Sequence, residues 1–535
     1  MGATSGADDR WWRDAVLYQI YPRSWADASG DGIGDLAGIT HHLDHLTWLG
    51  VDALWLSPIH PSPMADFGYD IVDHTAVDPV FGTLDDHDTL VAECHARGLK
   101  VVMDYVPNHT SDQHPWFLAS RSSRQDPHRN WFVWRDAAPD GGPPNNWRSR
   151  FGGGPAWTWD EATGQWYLHS FLPAQPDLNW RNDAVRAAMT DVLRFWMRRG
   201  VDGFRVDVAH RIVKDERLRD NPPNPAYREG MAEDHLVVEH YSRNWPDVHE
   251  VHRLLRRTVE EFADPTRLLA GEVNLDPAEW AAYFGNDDEL HLPFNFHSIV
   301  DLPWTPPGVA GLVEEVERAT PADAWPSWIL SNHDKSRFPT RIGRKAARQA
   351  LVVLLTARGT PVLYYGDELA LADTEVPPDL VQDPWGQYVP GEGRDPERTP
   401  MPWDASPNAG FCPPEVVPWL PLGGDAATRN VAAQRDDPTS ELHLVRDLLA
   451  LRRQRPSLRS GTVRTLLVTD DVAAWERSTN DERTVVVASF VDHPTVVELS
   501  GTHEVLRSTD AARTGTVSDD VPLAAHEAIV LEPRS

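Results

Sequence analysis

Eight short runs of apolar, β-branched residues, separated by segments of helical periodicity, set the strongest constraint on what this chain can fold into. The runs cover residues 15–22, 51–58, 100–106, 203–208, 268–273, 290–296, 327–332 and 361–366. They are apolar on both faces, the pattern of strands covered on either side rather than the alternation of a half-exposed sheet. Amphipathic stripes lie between them. Leu36, Ile39, Leu43, Leu46 and Leu49 make one, and Val185, Met189, Val192, Phe195 and Trp196 make another. Eight strands with intervening helices predict an α/β chain folded as a (β/α)8 TIM barrel. An open doubly wound sheet is the rival, but the chain has neither the GxGxxG nor the GxxxxGK[ST] loop that would support its nucleotide site.

Two stretches interrupt the pattern. Residues 1–107 hold the first part of the barrel and 178–455 the second. Between them, 108–177 is rich in Trp, Pro, Gly and Arg and too long for a connection, so it is read as an inserted subdomain. An irregular insertion rich in Pro and Asp, about 369–438, follows the eighth run. Residues 456–535 change to short β-type runs such as 484–490 and 528–531, which predict a C-terminal β-sandwich domain.

Charge and cysteine usage exclude several functions. With 50 basic and 81 acidic residues the net charge is −31, which repels phosphate backbones and anionic lipid, so neither nucleic acid nor a membrane is an expected partner. Small neutral molecules suffer no such repulsion. The two cysteines, Cys94 and Cys412, are in no CxxC motif, which excludes a disulfide scaffold and a cysteine-rich zinc site. Residues 1–13 carry no apolar leader, and no window reaches the ~20 apolar residues of a membrane span. A cytoplasmic location is the expectation. The 23 tryptophans, including Trp131, Trp134, Trp147, Trp157, Trp159 and Trp166, either bury apolar area or stack on the C–H faces of sugars; composition leaves both open.

Residues at the carboxyl ends of barrel strands face the reaction site. Reading off those ends gives Asp207, Glu272, Asp334, and the pair Asn108–His109, each following or ending an apolar run. Singly, an acid after a strand is a turn former or helix cap; at successive strand ends these groups form a constellation. Cleavage of a glycoside with retention needs two carboxyl groups about 5–5.5 Å apart, one ionised to attack and one protonated to release the leaving group. Arg205, two residues before Asp207 on an extended strand, shares its face and favours its ionised form. Glu272 is expected in the drier position, which suits it to carry the proton.

With these residues the chain closely resembles the α-amylase superfamily, glycoside hydrolase family 13, and within it the bacterial α-glucosidases and oligo-1,6-glucosidases. The resemblance runs from Trp11 to the C-terminal β domain and is carried by DYVPNH (104–109), QPDLN (175–179), GFRVD (203–207), GEV (271–273) and NHD (332–334). It implies a retaining, exo-acting α-glucosidase that releases or transfers glucose from short α-glucosides through a covalent glucosyl-enzyme. Asp207 would be the nucleophile, Glu272 the general acid/base, and Asp334 the third carboxylate on the sugar hydroxyls. His109, Gln175, Arg205 and His333 would hold the glucose. Asp66 and Tyr69, in MADFGYD (64–70), match residues that contact the non-reducing glucose, and Arg398, in RTPMPW (398–403), matches the arginine that pairs with that aspartate. A pocket closed behind one glucose lets no chain pass.

Segment 27–35 (DASGDGIGD) spaces oxygen ligands, Asp27, Ser29, Asp31 and Asp35, as hard cations favour. With Ile33 these residues would form a structural Ca2+ or Mg2+ site outside the chemistry; it is not an EF-hand, because position twelve is Gly38. Ser29 stands where relatives carry Asn or Asp, which weakens one ligand. No organic cofactor is expected. Val208, next to the nucleophile, is the residue that relatives cleaving α-1,6 bonds often have, and the charged loop 211–246 should line the aglycone side. The alternatives are a transglucosylase or sugar isomerase of trehalose-synthase or sucrose-converting type, in which a sugar rather than water attacks the intermediate. From another class comes a non-catalytic relative acting as an interaction partner, which would have lost the carboxylates.

Overall fold

The computed structural model describes residues 10–151, 153–262, 265–300, 302–388 and 393–534. Most of segment 1–13, where the sequence reading expects no leader, lies outside them, as does Gly152 of the glycine run. Eight parallel strands make one sheet: β1 Leu17–Ile20, β2 Ala53–Leu56, β3 Lys100–Tyr105, β4 Gly203–Val206, β5 Leu268–Val273, β6 Leu292–Asn295, β7 Ser327–Ile329 and β8 Thr360–Tyr364. Each falls within, or within one residue of, one apolar run. Their hydrogen-bonded order is β7-β8-β1-β2-β3-β4-β5-β6, a ring whose two ends are β6 and β7.

At that seam side chains replace the ladder. Pro293 in β6 has no N–H to offer. Ser327 of β7 substitutes: its hydroxyl donates to the Pro293 carbonyl and accepts the Asn295 amide, both at 3.2 Å. The sheet thus closes, nearly completely, into the expected (β/α)8 barrel.

The barrel interior is packed by Trp55, Val102, Leu268, Leu292, Phe294 and their neighbours, and Trp12 plugs the amino-terminal end with its ring 4.4 Å from His291. Gly203 sets the spacing of β4 and β5, since a Cβ there would stand 2.6 Å from the Leu268 carbonyl oxygen. Outside, helix Asp183–Arg198 starts where the Asn182 side chain accepts the Ala184 N–H and buries Val185, Met189, Val192, Leu193 and Trp196. The Leu36-to-Leu49 stripe is carried by two helices, Leu36–His41 and Leu43–Leu49, that break at His42.

After β3, strands Trp134–Arg135, Trp157–Asp160 and Gln165–Leu168 form a small antiparallel sheet. A buried ion pair ties this region to the barrel: Lys214 Nζ lies 2.6 Å from Asp177 and 2.6 Å from the Asn108 side-chain oxygen. Its tryptophans pack on one another, Trp159 on Trp166 and Trp147 near Trp157, so here they bury area.

The last six strands, from Thr462–Val468 to Ala528–Pro533, form one antiparallel sheet, where the sequence predicts a sandwich. Val486, Ala488 and Val530 join the core that contains barrel helix Ala347–Thr356, while Val485, Val487 and Leu531 face a cluster of the domain's own. The barrel's helices supply the second layer that a partner sheet would have given. Among the described residues no helix is long and apolar enough to cross a membrane.

Candidate active site

Arg205, on β4 and fully buried, organises the carboxyl end of the barrel. One amino group donates to Asp207 at 2.7 Å and to Asp104 at 3.1 Å, and the other donates to Glu272 at 2.7 Å. The ring of Trp55 lies 5.2 Å beneath the guanidinium. Strand register dictates this arrangement. Val206 pairs with Gly271, so the next residue on each strand, Asp207 and Glu272, arrives side by side. Val208 then turns into the left-handed region (φ 37°), a strained conformation for a β-branched residue, and its N–H donates to Glu272 at 3.2 Å.

The expectation that Glu272 is the drier acid is corrected. Its side chain is 17% exposed and that of Asp207 is 8%. Burial pushes Asp207 well above the ordinary aspartate range, Arg205 opposes this, and Glu272, Asp104 and Asp334 reinforce it. Burial likewise lifts Asp104 to about 6.

His333 sits between the parallel rings of Tyr69, 5.4 Å away, and Tyr21, 6.0 Å away. Its Nδ1 faces the Gln19 amide at 2.7 Å and its Nε2 faces the Tyr69 hydroxyl at 2.6 Å. The Tyr69 hydroxyl in turn donates to Asp104 at 2.9 Å. Burial holds His333 down at about 3, so the ring is neutral, accepting at Nδ1 and donating at Nε2. Burial would raise Asp334, but His333, Arg394 and Arg398 hold it below the ordinary range; with His333 neutral, the two arginines sustain this near neutral pH.

Asp66 is paired with Arg394 at 2.6 Å, not with Arg398. Arg398 lies deeper, under Tyr21, with Nε on the His333 carbonyl at 2.6 Å and an amino group on Asp334 at 3.1 Å. Arg394, four residues earlier, reaches across the pocket to Asp66, to Asp334 at 3.1 Å and to Asp383 at 2.8 Å. The sequence offered two arginines in one irregular segment and nothing to rank their reach. Gln175 donates to Asp66 at 3.0 Å and meets His109 at 3.1 Å, and burial holds His109 down at about 4. All ten sequence-predicted catalytic and sugar-binding residues therefore meet in one hydrogen-bonded cluster.

Asp66, Tyr69, His109, Asp207, Glu272, Asp334 and Arg394 line a cavity of about 150 Å³, with the rest of the cluster behind them. Phe151, Phe171 and Trp385 roof it, with Phe151 4.9 Å from Trp385 and 5.1 Å from the Arg394 guanidinium. Arg150, His210, Arg211, Arg243, Asn274 and Lys335 complete its lining, and Arg150 and Arg243, each about a third exposed, mark its mouth. Sequence reading missed these residues and Arg394. They come from loops, where no periodicity marks a side chain's direction; the density of charge in 211–246 was the available signal.

The proposed cation loop lies apart. Both oxygens of Asp27 accept amides, from Gly30 and Gly32, and those of Asp35 accept amides from Ala28, Ser29 and Gly38. Ser29 Oγ lies 3.2 Å from Asp27, and Asp31 accepts the Ile33 amide. The all-oxygen donor set fits a hard cation, while the loop's own amides already hold its shape. Among the described residues no three His, Cys, Asp or Glu side chains gather as a metal site, so Asp27, Asp31 and Asp35 do not converge on one point here.

Comparison with known proteins agrees with this architecture. The chain is 42% identical to a probable α-glucosidase of Rhizobium meliloti over 511 residues, 92% of this chain and 91% of that one. It is 36% identical to an oligo-1,6-glucosidase of Parageobacillus thermoglucosidasius, over 91% and 92% of the two chains. The structure superposes on that of an α-glucosyl transfer enzyme with TM-score 0.92 at 38% identity, covering 98% and 99%. The family pattern of the α-amylase catalytic domain matches residues 19–461, and the chain belongs to the α-amylase family.

Proposed function

We propose that the protein is a retaining, exo-acting α-glucosidase that takes one α-linked glucose from the non-reducing end of a short α-glucoside and passes it to water or to a second sugar. The observation that carries this is the double hold of Arg205 on Asp207 and Glu272 at the floor of a small, roofed pocket. Two carboxylates held by one guanidinium are neighbours, which supports the roughly 5–5.5 Å spacing of double displacement over the wider spacing of an inverting enzyme.

In this reading Asp207 attacks the anomeric carbon and Glu272 donates a proton to the departing oxygen, then takes one from the incoming hydroxyl. Atoms balance: the glycosidic C–O bond breaks as the Asp207–C bond forms, and water or an acceptor reverses the exchange. Asp334, kept ionised by Arg394 and Arg398, accepts hydrogen bonds from the sugar hydroxyls. The neutral His333 and His109 serve as hydrogen-bonding partners without adding charge. The wall made by Asp66, Arg394 and Asp383 closes the far end, so only a terminal glucose enters.

Product analysis on maltose, isomaltose, sucrose and trehalose tests this. Glucose of retained α-configuration, absent with Asp207→Ala, is the expected result. Isomerised disaccharides with little free glucose would overturn it in favour of an isomerase.

Two further assignments belong here. Asp27, Ser29, Asp31, Ile33 and Asp35 would hold a Ca2+ or Mg2+ that braces the loop before helix Leu36–His41. A cytoplasmic location is supported by Cys94 and Cys412, both buried and free.

A further inference from the structure

The lining of the pocket carries a charge pattern that a neutral disaccharide does not need. Arg150, Arg211, Arg243 and Lys335 all line it, on a chain whose net charge is −31. Two of the four are committed to acids. Arg211 places both amino groups on Glu239, at 2.8 and 2.7 Å. Arg150 is bonded to Asp234 at 2.5 Å and lies 3.8 Å from Glu239.

The other two are not. Arg243 approaches its nearest carboxylate oxygen, on the already doubly bonded Glu239, only to 3.9 Å, with its side chain 34% exposed. Burial weakens its hold on a proton, Glu239 opposes that, and Arg211 and Arg150 add to it; Glu279, bonded to Asn244 next door, adds a weaker opposite charge. A guanidinium beside two others, and without a full carboxylate partner, is a cation short of an anion. Lys335 joins the same lining from the loop after β7. Four cations stand against Glu239, Asp234 and Glu279, leaving an excess of one positive charge where the aglycone would lie.

The wall bearing Arg243 is also braced. Asn145 and Trp147 of the inserted region donate to the carbonyls of Leu218 and Arg219, and the Asn146 side chain donates to the Asn221 carbonyl and accepts its amide. Asn244, the next residue, adopts φ 49° and donates its amide to His210. A pre-positioned guanidinium binds an oxyanion without first being ordered.

We propose that the aglycone side of this pocket binds an anionic group, a phosphate or a carboxylate carried by the leaving group or the acceptor, with Arg243 as its principal ligand and Lys335 as its second. This rests on the α-glucosidase reading, which places the glucose inward and the aglycone at the mouth.

The test compares substrates that share a glycosidic bond and differ in charge: trehalose with trehalose 6-phosphate, and maltose with maltobionate. In the wild type, kcat/KM for at least one anionic member should exceed that of its neutral partner by about tenfold or more, the value of a charge-assisted hydrogen bond. Which pair shows it separates phosphate from carboxylate. Arg243→Gln should bring the ratio towards one, and Lys335→Gln should lower it less; a general loss of activity cancels in a ratio. Dissociation constants for the same four sugars on Asp207→Ala protein, by calorimetry, give the ratio without turnover. If the wild type cleaves none of the four, the α-glucosidase reading fails and the calorimetric ratio still decides this one. Ratios of one or below for both pairs, or a preference that survives Arg243→Gln, would overturn the proposal.

Discussion

Arg394→Ala removes the one guanidinium that joins Asp66, Asp383 and Asp334 at 2.6, 2.8 and 3.1 Å, from a position only 6% exposed. Stripping one partner from a buried ion pair costs about 3–5 kcal/mol. Unfolding entropy of about 2.1 cal/mol/K per residue amounts to roughly 1.1 kcal/mol/K for a chain of this length, so Tm should fall by about 3–4 °C near neutral pH. The sign of the pH dependence follows from the acids left behind. Burial already raises Asp66 and Arg394 opposes it; without Arg394 it rises further. A carboxyl with a raised folded pKa destabilises only where its unfolded form is ionised, above about pH 4. Asp334 acts in the same sense, since its depressed value contributes stability above about pH 4 that Arg394 helps to supply. The Tm deficit should therefore be widest near neutrality and shrink as pH falls towards about 4. Losing the orientation of Asp66 and Asp334, at about 1.5–3 kcal/mol per charged hydrogen bond, should lower kcat/KM by about 10²–10⁴. Thermal melts across pH and initial rates on maltose check both. A kcat/KM within about threefold of wild type, or a deficit independent of pH, would refute the reasoning.

Three further outcomes are expected. Glu272→Gln should slow maltose turnover by about 10²–10⁴ but an aryl glucoside with an acidic leaving group much less; equal losses would place the proton donor elsewhere. The acid limb of kcat/KM should lie above the ordinary aspartate value of about 3.9, because burial raises Asp207, whose ionised form attacks. Asp104→Asn should move that limb down by removing a neighbouring negative charge, and an upward move would contradict the assignment. Chelation should lower Tm by no more than about 2 °C, and Ca2+ should restore it, because the amides around Asp27 and Asp35 hold the loop unaided; a chelator that abolishes folding would show that the cation carries the loop.

The barrel and its acids were legible because strands advertise themselves twice, by apolar runs and by the polar residue that ends each one. Asp207, Glu272 and Asp334 each terminate or follow such a run, so position along the chain translated directly into position around the ring. Arg394 had no such marker. It lies among prolines and glycines, and only packing beneath Tyr21 decided that Arg398 would go deep and Arg394 across. The relative dryness of Asp207 and Glu272 was misjudged for a related reason: exposure at a strand end depends on the loops above it, which the strand pattern does not encode. The single C-terminal sheet escaped notice because an apolar run such as 484–490 reports that both faces are covered, without saying that a helix covers one of them.

A ring of strands opens first at its weakest joint. Between β6 and β7 that joint is the hydroxyl of Ser327 in place of a ladder, beside a proline that cannot donate. Thermal breathing should therefore concentrate there, and amide exchange should reach the edges of β6 and β7 before the centre of β2 or β3. His333 and Asp334 are suspended from the end of β7, so each opening loosens the grip on the sugar while most of the barrel stays intact. Loss of activity on warming then reports a local unlatching that precedes the melting of the fold.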